Sequence, residues 1–407
     1  MQVIPLKPLD NKTLEEIGLD WHTNDDMSSY IADEMVVVSQ KEADAYYDAC
    51  NELYDMFVET AEEAIQNDRF FELDIPNALI PMIKQSFEEE VHWHIYGRFD
   101  LAGGLDGKPI KLLEFNADTP TMLYETAVIQ WALLKANGYD ENKQFNNLYE
   151  ALGENFKRMV TLGEDTSRFE EMYEGWKILF SSVRGNIEEE RTMRFLQDAA
   201  QSVGFETDFS YIDEVEFNAE EGVFKNGLNY EFLFKLIPWE NIAIDEPELA
   251  LLMQGMMENK NTIFLNPAYT ILFQSKRFLK LLWDRYPNHP LLLETSYEPL
   301  SNKKQIKKVA FGREGANSEI FEASMQSLLK TDGVYSNHEA SMQSLLKTDG
   351  VYSNHKPVYQ EFYELNSHNG LYYQPNVFFA YESCALGFRK GGLILDNFSK
   401  FVSHMLQ

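Results

Sequence analysis

The stretch RFDLAGGLDGKPIKLLEFNADTPT, from Arg98 to Thr121, constrains this chain more than any other. Arg98 and Asp100, then Glu114 and Asn116, form two pairs, each spaced by two residues. That spacing puts both members of a pair on one face of a strand. The intervening GGLDG reads as a turn. An arginine, two acids and an asparagine on one strand face are costly to bury unless something binds them. A two-residue turn at Asp106–Gly107 would set Asp100 opposite Leu113. Setting it opposite Glu114 requires an odd-length loop or a bulge, and the glycines allow either. Converging carboxylates repel unless a cation sits among them. An all-oxygen set that includes an asparagine suits a hard ion such as magnesium. The competing reading is a solvated hairpin with a surface ion pair.

The whole chain sets the scale. Its 407 residues can bury a large core and suggest two or three structural units, and 44% hydrophobic with 14% aromatic residues indicate a globular protein. No run of about eighteen apolar residues occurs, so no membrane partner is expected. The opening MQVIPLKPLDNKTLEEIG lacks a basic region followed by an apolar one, which argues against a secretory signal and for the cytoplasm. Cys50 and Cys384 fit free thiols in a reducing compartment. A formal net charge of -31 opposes nucleic acid and would attract a cationic substrate or divalent metal, although acidity for solubility alone is the stronger explanation.

Periodicity outlines the elements. Residues 41 to 67 read as a helix with Tyr46, Cys50, Leu53, Met56, Phe57 and Ala61 on one stripe. VHWHIYGRFD reads as a strand, its His92 and His94 as structural. TPTMLYETAVIQWALLKANG reads as a helix with Thr119 as N-cap, Pro120 in first position, Gly138 at the C-terminal cap and Leu123, Ala127, Trp131 and Leu134 buried. GWKILFSSV, NIEEERTMRFLQDAAQSVG and FETDFSYI form a β-α-β unit without a GxGxxG loop. TILFQSKRFLKLLWDRY reads as one helix, and hairpins follow from about residue 305. Three regions result: 1–165, helical with the polar hairpin; 166–265, β-α-β; and 266–407, with the later hairpins. The seventeen residues EASMQSLLKTDGVYSNH at 322–338 recur unchanged at 339–355. One copy is expected to make the native connection and the other to loop out at the surface. Lys276, Lys308 and the glycine-containing segment 311–317 hint at phosphate binding. No GxSxG and no Cys–His neighbourhood supports covalent catalysis.

GRFDLAGG…KLLEFNADTPT resembles the metal hairpin of the glutathionylspermidine synthetase family in the ATP-grasp superfamily. FKLIPWE, LLWDRYPNHPLLL, FGREGAN and GFRKGGLIL follow in that family's order, so the resemblance spans roughly residues 20 to 400. It implies a mixed α/β ATP-grasp fold with a Rossmann-like pre-ATP-grasp region and an antiparallel lid. It also implies a stand-alone synthetase without the cysteine amidase domain. The implied activity joins a glutathione-like peptide carboxylate to a polyamine or other amine, with ATP as co-substrate and Mg2+ as cofactor. Residue by residue, Arg98 falls on the catalytic arginine and on a substrate contact, and Asp100, Glu114 and Asn116 on the metal ligands. Thr119, Thr121, Glu188 and Glu189 fall on substrate contacts. Lys276, Lys308, Glu361, Phe362, Tyr363, Glu364, Gln374 and Arg389 fall on nucleotide contacts. Lys308 is followed by VAF where the family commonly has Lys-Pro, and the duplication lies between phosphate loop and adenine hinge. A ligase for another peptide and amine, or a catalytically silent nucleotide-binding protein, are the alternatives. A homodimer is left open.

Overall fold

Ser39 opens the longest helix, Gln40–Gln66, and fixes its start by a capping box. Its hydroxyl accepts from the Glu42 amide at 3.3 Å, and the Glu42 carboxylate accepts from the Ser39 amide at 2.8 Å. The expected stripe from Tyr46 to Ala61 is buried throughout. In this computed structural model, which describes residues 1–163, 165–324 and 341–407, that stripe packs on an eight-stranded sheet. The sheet runs in the order Gln2–Pro5, Ile31–Val38, Lys400–Leu406, Glu382–Gly391, Leu371–Ala380, Gly97–Ala102 and Lys111–Asn116, with Asn366–His368 paired to Leu371–Ala380. All neighbours are antiparallel except Ile31–Val38 and Lys400–Leu406.

The β-α-β pattern becomes an all-parallel four-stranded sheet, in the order Ile263–Leu265, Phe232–Lys235, Lys177–Ser182 and Glu206–Tyr211. Helix Ile187–Ser202 makes the crossover between the last two strands. A five-stranded antiparallel sheet holds Thr295–Ser296, Pro357–Glu361, Gln305–Val309, Glu319–Ser324 and Ser341–Lys347.

Three local expectations change. The strand at VHWHIYGRFD begins only at Gly97, because the residues before it bond to side chains rather than to a neighbouring strand. The Ile95 amide donates to Asn266 Oδ1 at 2.9 Å, and His94 donates from Nε2 to the Ala117 carbonyl at 2.9 Å. Burial pushes the His94 imidazole down to about 4, in keeping with a neutral structural role. Thr119 and Pro120 do not start a helix, which begins at Leu123, after Met122 in a left-handed conformation. A π-helical turn at Glu125–Ile129 then precedes helix Gln130–Ala136. Its extra residue per turn rotates the stripe, so Trp131 is exposed while Ile129, Leu133 and Leu134 are buried.

The expected helix at 270–286 is two helices, Thr270–Gln274 and Phe278–Arg285. Ser275 adopts an extended backbone and donates its hydroxyl to the Leu73 carbonyl at 2.7 Å, and the Lys276 amide bonds the Ala310 carbonyl at 2.8 Å. The break frees Lys276 to point away from the helix axis. As for the repeat, copy two from Ser341 onward forms part of the five-stranded sheet, and its Thr348 donates to the Gly315 carbonyl at 2.6 Å. Copy one after Ser324, with the first two residues of copy two, lies outside the described residues.

Candidate active site

The hairpin Gly97–Ala102 and Lys111–Asn116 has two unlike faces. Phe99 and Phe115 stack at 3.9 Å under the long helix, and Phe57 meets both rings edge-on. Gly97 makes room for that stack, since a Cβ there would lie 2.6 Å from the Phe115 ring. The opposite face carries the polar pairs. Arg98 is opposite Asn116 and Asp100 is opposite Glu114, and a bulge follows, because Leu101 pairs with Leu112. Leu113 is the extra residue, and its carbonyl accepts from Lys308 Nζ at 3.0 Å. Gly103 allows the chain to leave the strand: its φ is +77°, and a Cβ would lie 1.9 Å from the Pro109 carbonyl oxygen.

Three of the four side chains, Arg98, Asp100 and Asn116, are joined by hydrogen bonds. Arg98 grips Asp100 bidentately, Nε to Oδ1 at 2.7 Å and Nη2 to Oδ2 at 3.0 Å. Asn116 Nδ2 donates to Asp100 Oδ2 at 3.0 Å, and Gln274 Nε2 donates to Asn116 Oδ1 at 3.2 Å. Glu114 pairs with Lys276 at 3.1 Å. Burial opposes charge on Glu114, but Lys276, Lys308 and Arg98 outweigh it and hold the carboxyl down to about 2. Burial in turn pushes the Lys308 ammonium down to about 8, against the pull of Glu114.

These groups line a cleft of about 710 Å³. Every site residue expected from the sequence lies on its wall except Glu364, which is exposed at the surface beyond it. One end is cationic, with Lys276 and Lys308. Beside it lie Glu361, Phe362 and Tyr363 with the apolar residues Leu113, Ile306 and Leu365. The loop joining Gln305–Val309 to Glu319–Ser324 covers this end, where Lys276 Nζ donates to the Gly312 carbonyl at 2.6 Å. Gln374 and Arg389 are direct cross-strand neighbours on the adjoining wall.

The other end is acidic. Glu188 and Glu189 occupy the first turn of helix Ile187–Ser202, capped by Asn186, whose Oδ1 accepts from the Glu189 amide at 3.2 Å. Burial and neighbouring Glu125 push the Glu188 carboxyl up to about 8, and burial raises Glu189 too. Arg98 lies between the two ends and donates from Nη1 to the Thr121 carbonyl at 3.0 Å. Sequence reasoning missed several wall residues. Trp21 and Tyr30 line the acidic end and both donate to Glu125 Oε1 at 2.9 Å. Arg313, within FGREGAN, reaches Glu240 at 2.7 Å and the Thr119 hydroxyl at 3.2 Å. Its charge within a glycine-containing loop was the one signal that could have marked it.

Among the described residues no cluster of three His, Cys, Asp or Glu side chains could hold a metal. The hairpin instead offers the carboxylates of Asp100 and Glu114, oxygen donors that suit a hard divalent ion taking its remaining ligands from phosphate and water. Asn116 presents its Nδ2 to Asp100 and its Oδ1 to Gln274, so its amide must turn over to join them.

The family model described as glutathionylspermidine synthase preATP-grasp matches residues 1–347 and 339–407. Among curated relatives, the "Putative acid--amine ligase" of Haemophilus influenzae is 29% identical over 412 residues, covering 98% of this chain and 97% of that protein. Trypanothione synthetase of Crithidia fasciculata is 24% identical over 346 residues, covering 79% of this chain and 48% of its own length. The bifunctional glutathionylspermidine synthetase/amidase of Escherichia coli is 24% identical over 321 residues, covering 72% and 48%. The chain thus spans about half the length of these last two proteins. Among solved structures, a glutathione synthetase-like effector from Globodera pallida superposes with a TM-score of 0.52 at 11% identity, covering 98% of both chains.

Proposed function

The chain belongs to the glutathionylspermidine synthase family, and from that premise we propose that it is an ATP-dependent ligase forming an amide between a glutathione-like peptide carboxylate and an amine of a polyamine. The observation that carries this reading is the two-ended cleft. Lys276 and Lys308 stand at one end, Glu188 and Glu189 at the other, and Arg98 lies between them.

A carboxylate resists attack by an amine because its leaving group is oxide. Transfer of the γ-phosphoryl group of ATP to the carboxylate oxygen gives ADP and an acyl phosphate, whose leaving group is phosphate. Lys276 and Lys308 neutralise the phosphates, and the segment Glu361–Tyr363 with Leu113 and Ile306 receives the base. Asp100, Glu114 and Asn116 would hold Mg2+, which supplies charge neutralisation at the phosphate oxygens. Arg98 stabilises negative charge during transfer and on the tetrahedral adduct. Thr119 and Thr121 contact the peptide. In their ionised forms Glu188 and Glu189 attract the ammonium form of the amine. Glu188, ionised increasingly as pH rises toward 8, then takes the ammonium proton and leaves a neutral nucleophile. The loop around Gly312 and Arg313 excludes water, which would hydrolyse the acyl phosphate.

ADP release measured across a panel of peptides and polyamines, with mass spectrometry of products, tests the proposal. The expected result is ADP formation that needs both an acid and an amine, with a product lighter than their sum by one water. Nucleotide binding without turnover across the panel would instead support a silent nucleotide-binding protein.

A further inference from the structure

We propose that Asn376 is a positioning residue that sets the carboxylate plane of Asp100, on the reading that Asp100 serves a metal-dependent ligase. Asn376 lies in strand Leu371–Ala380, directly opposite Asp100, and is fully buried. Asp100 accepts four hydrogen bonds. Arg98 gives two of them, Asn116 gives one to Oδ2 from the strand on one side, and Asn376 gives one to Oδ1 at 2.7 Å from the strand on the other. The guanidinium fork is a strong planar partner, but by itself it leaves the paired carboxylate free to swing together with the arginine. The two amides pull on different oxygens from opposite sides of the strand and hold that plane in place. Asn376 is absent from the cleft wall, whereas Arg98, Asp100 and Asn116 are on it. It therefore acts through Asp100.

The other half of the amide supports this assignment. Asn376 Oδ1 is buried and has no hydrogen-bond partner among the described residues. Turning the amide over would set its oxygen against Asp100 Oδ1 at the same short distance, so the carboxylate dictates which atom is left without a partner. A buried acceptor without a donor destabilises the fold, and a leucine of similar shape would not carry that penalty. Among the described residues the Asn376 side-chain amide has one partner, and that partner is Asp100.

The test compares the unsubstituted protein with Asn376→Leu and Asn376→Ala. Mn2+ binding is followed by electron paramagnetic resonance with ADP present, together with thermal melts and the Mg2+ dependence of ADP release. Asn376→Leu is expected to melt at the same or a higher temperature while its Mn2+ dissociation constant rises at least tenfold. The Mg2+ half-saturation should rise in step, and KM for ATP at saturating Mg2+ should change less than threefold. Added to Asp100→Asn, the leucine should have no further effect on Mn2+ binding. Mn2+ constants within twofold of the parent would overturn the assignment. So would failure of both variants to fold, which would make Asn376 a structural residue. If the unsubstituted protein binds no Mn2+ beside ADP, the metal-dependent ligase reading falls as well; equal binding in parent and variants overturns only the role of Asn376.

Discussion

Replacing Lys276 by methionine keeps the length of the side chain and removes one of the cations that hold Glu114 ionised. The pair is 3.1 Å apart, with the lysine 8% and the glutamate 24% exposed, so solvent screens it weakly. Glu114 falls from an ordinary 4.5 to about 2. That displacement corresponds to roughly 3 kcal/mol of stability at neutral pH, shared among Lys276, Lys308 and Arg98. Lys276 is the largest attractive contributor, so its removal should cost on the order of 1–2 kcal/mol. The sign follows from the depressed folded value. The contribution is fully present above about 4.5 and is lost as pH falls toward 2. Urea unfolding in EDTA should therefore find Lys276→Met less stable by about 1–2 kcal/mol at pH 6.5, with the gap narrowing at pH 3. Thermal shift by ATP should also weaken, matching a tenfold or larger loss of affinity, about 1.4 kcal/mol. A variant as stable as the parent at pH 6.5, or a gap that does not narrow in acid, would refute the placement of Glu114 under these lysines.

Other outcomes follow from the same geometry. Glu188→Gln should lower kcat/KM for the amine about a hundredfold with KM for ATP unchanged, and should abolish the rise in rate toward pH 8, read from pH–rate profiles. Gly103→Ala places a Cβ 1.9 Å from the Pro109 carbonyl at a left-handed φ, and should cost about 3 kcal/mol or prevent folding, read by denaturation. Deleting residues 339–355 yields the same chain as deleting 322–338. Glu322 pairs with Gln343, so the shortened chain has Ala-Ser-Met between two paired positions, an ordinary hairpin loop. It should fold, melt within about 3 °C of the parent and keep equal or stronger stabilisation by magnesium–ATP; loss of that stabilisation in thermal melts would make the second copy indispensable.

The sequence disclosed what short-range patterns encode. Spacing by two put Arg98, Asp100, Glu114 and Asn116 on one strand face, and residue counting alone showed that opposing Asp100 and Glu114 needs an odd-length loop or a bulge, of which the structure uses the bulge. The apolar stripe of the long helix and the β-α-β run were equally local. What stayed hidden depends on contacts distant in sequence. Ser275 breaks its helix because the Leu73 carbonyl lies within reach, and nothing near residue 275 announces it. The π turn after Met122 rotates a stripe that ordinary periodicity places elsewhere. Trp21, Tyr30 and Asn376 join the site from segments more than sixty residues away from the hairpin, and they look unremarkable where they stand in the chain. Glu364 was drawn in by its neighbours in the hinge, yet the backbone turns it outward.

The order of strands in the large sheet has a kinetic consequence. The hairpin at residues 97–116 pairs with Leu371–Ala380, and strand Ile31–Val38 pairs in parallel with Lys400–Leu406. These rungs join residues separated by more than 270 positions. During synthesis the hairpin emerges from the ribosome long before its partner strand exists. Until then its buried arginine and carboxylates face water, and its edge is open to other chains. Such distant pairing slows folding through the entropy of closing very long loops. The cleft therefore forms among the last events of folding, when the final strands slot into the centre of the sheet. Substitutions in Leu371–Ala380 should accordingly act on the yield of folded protein as strongly as on its turnover.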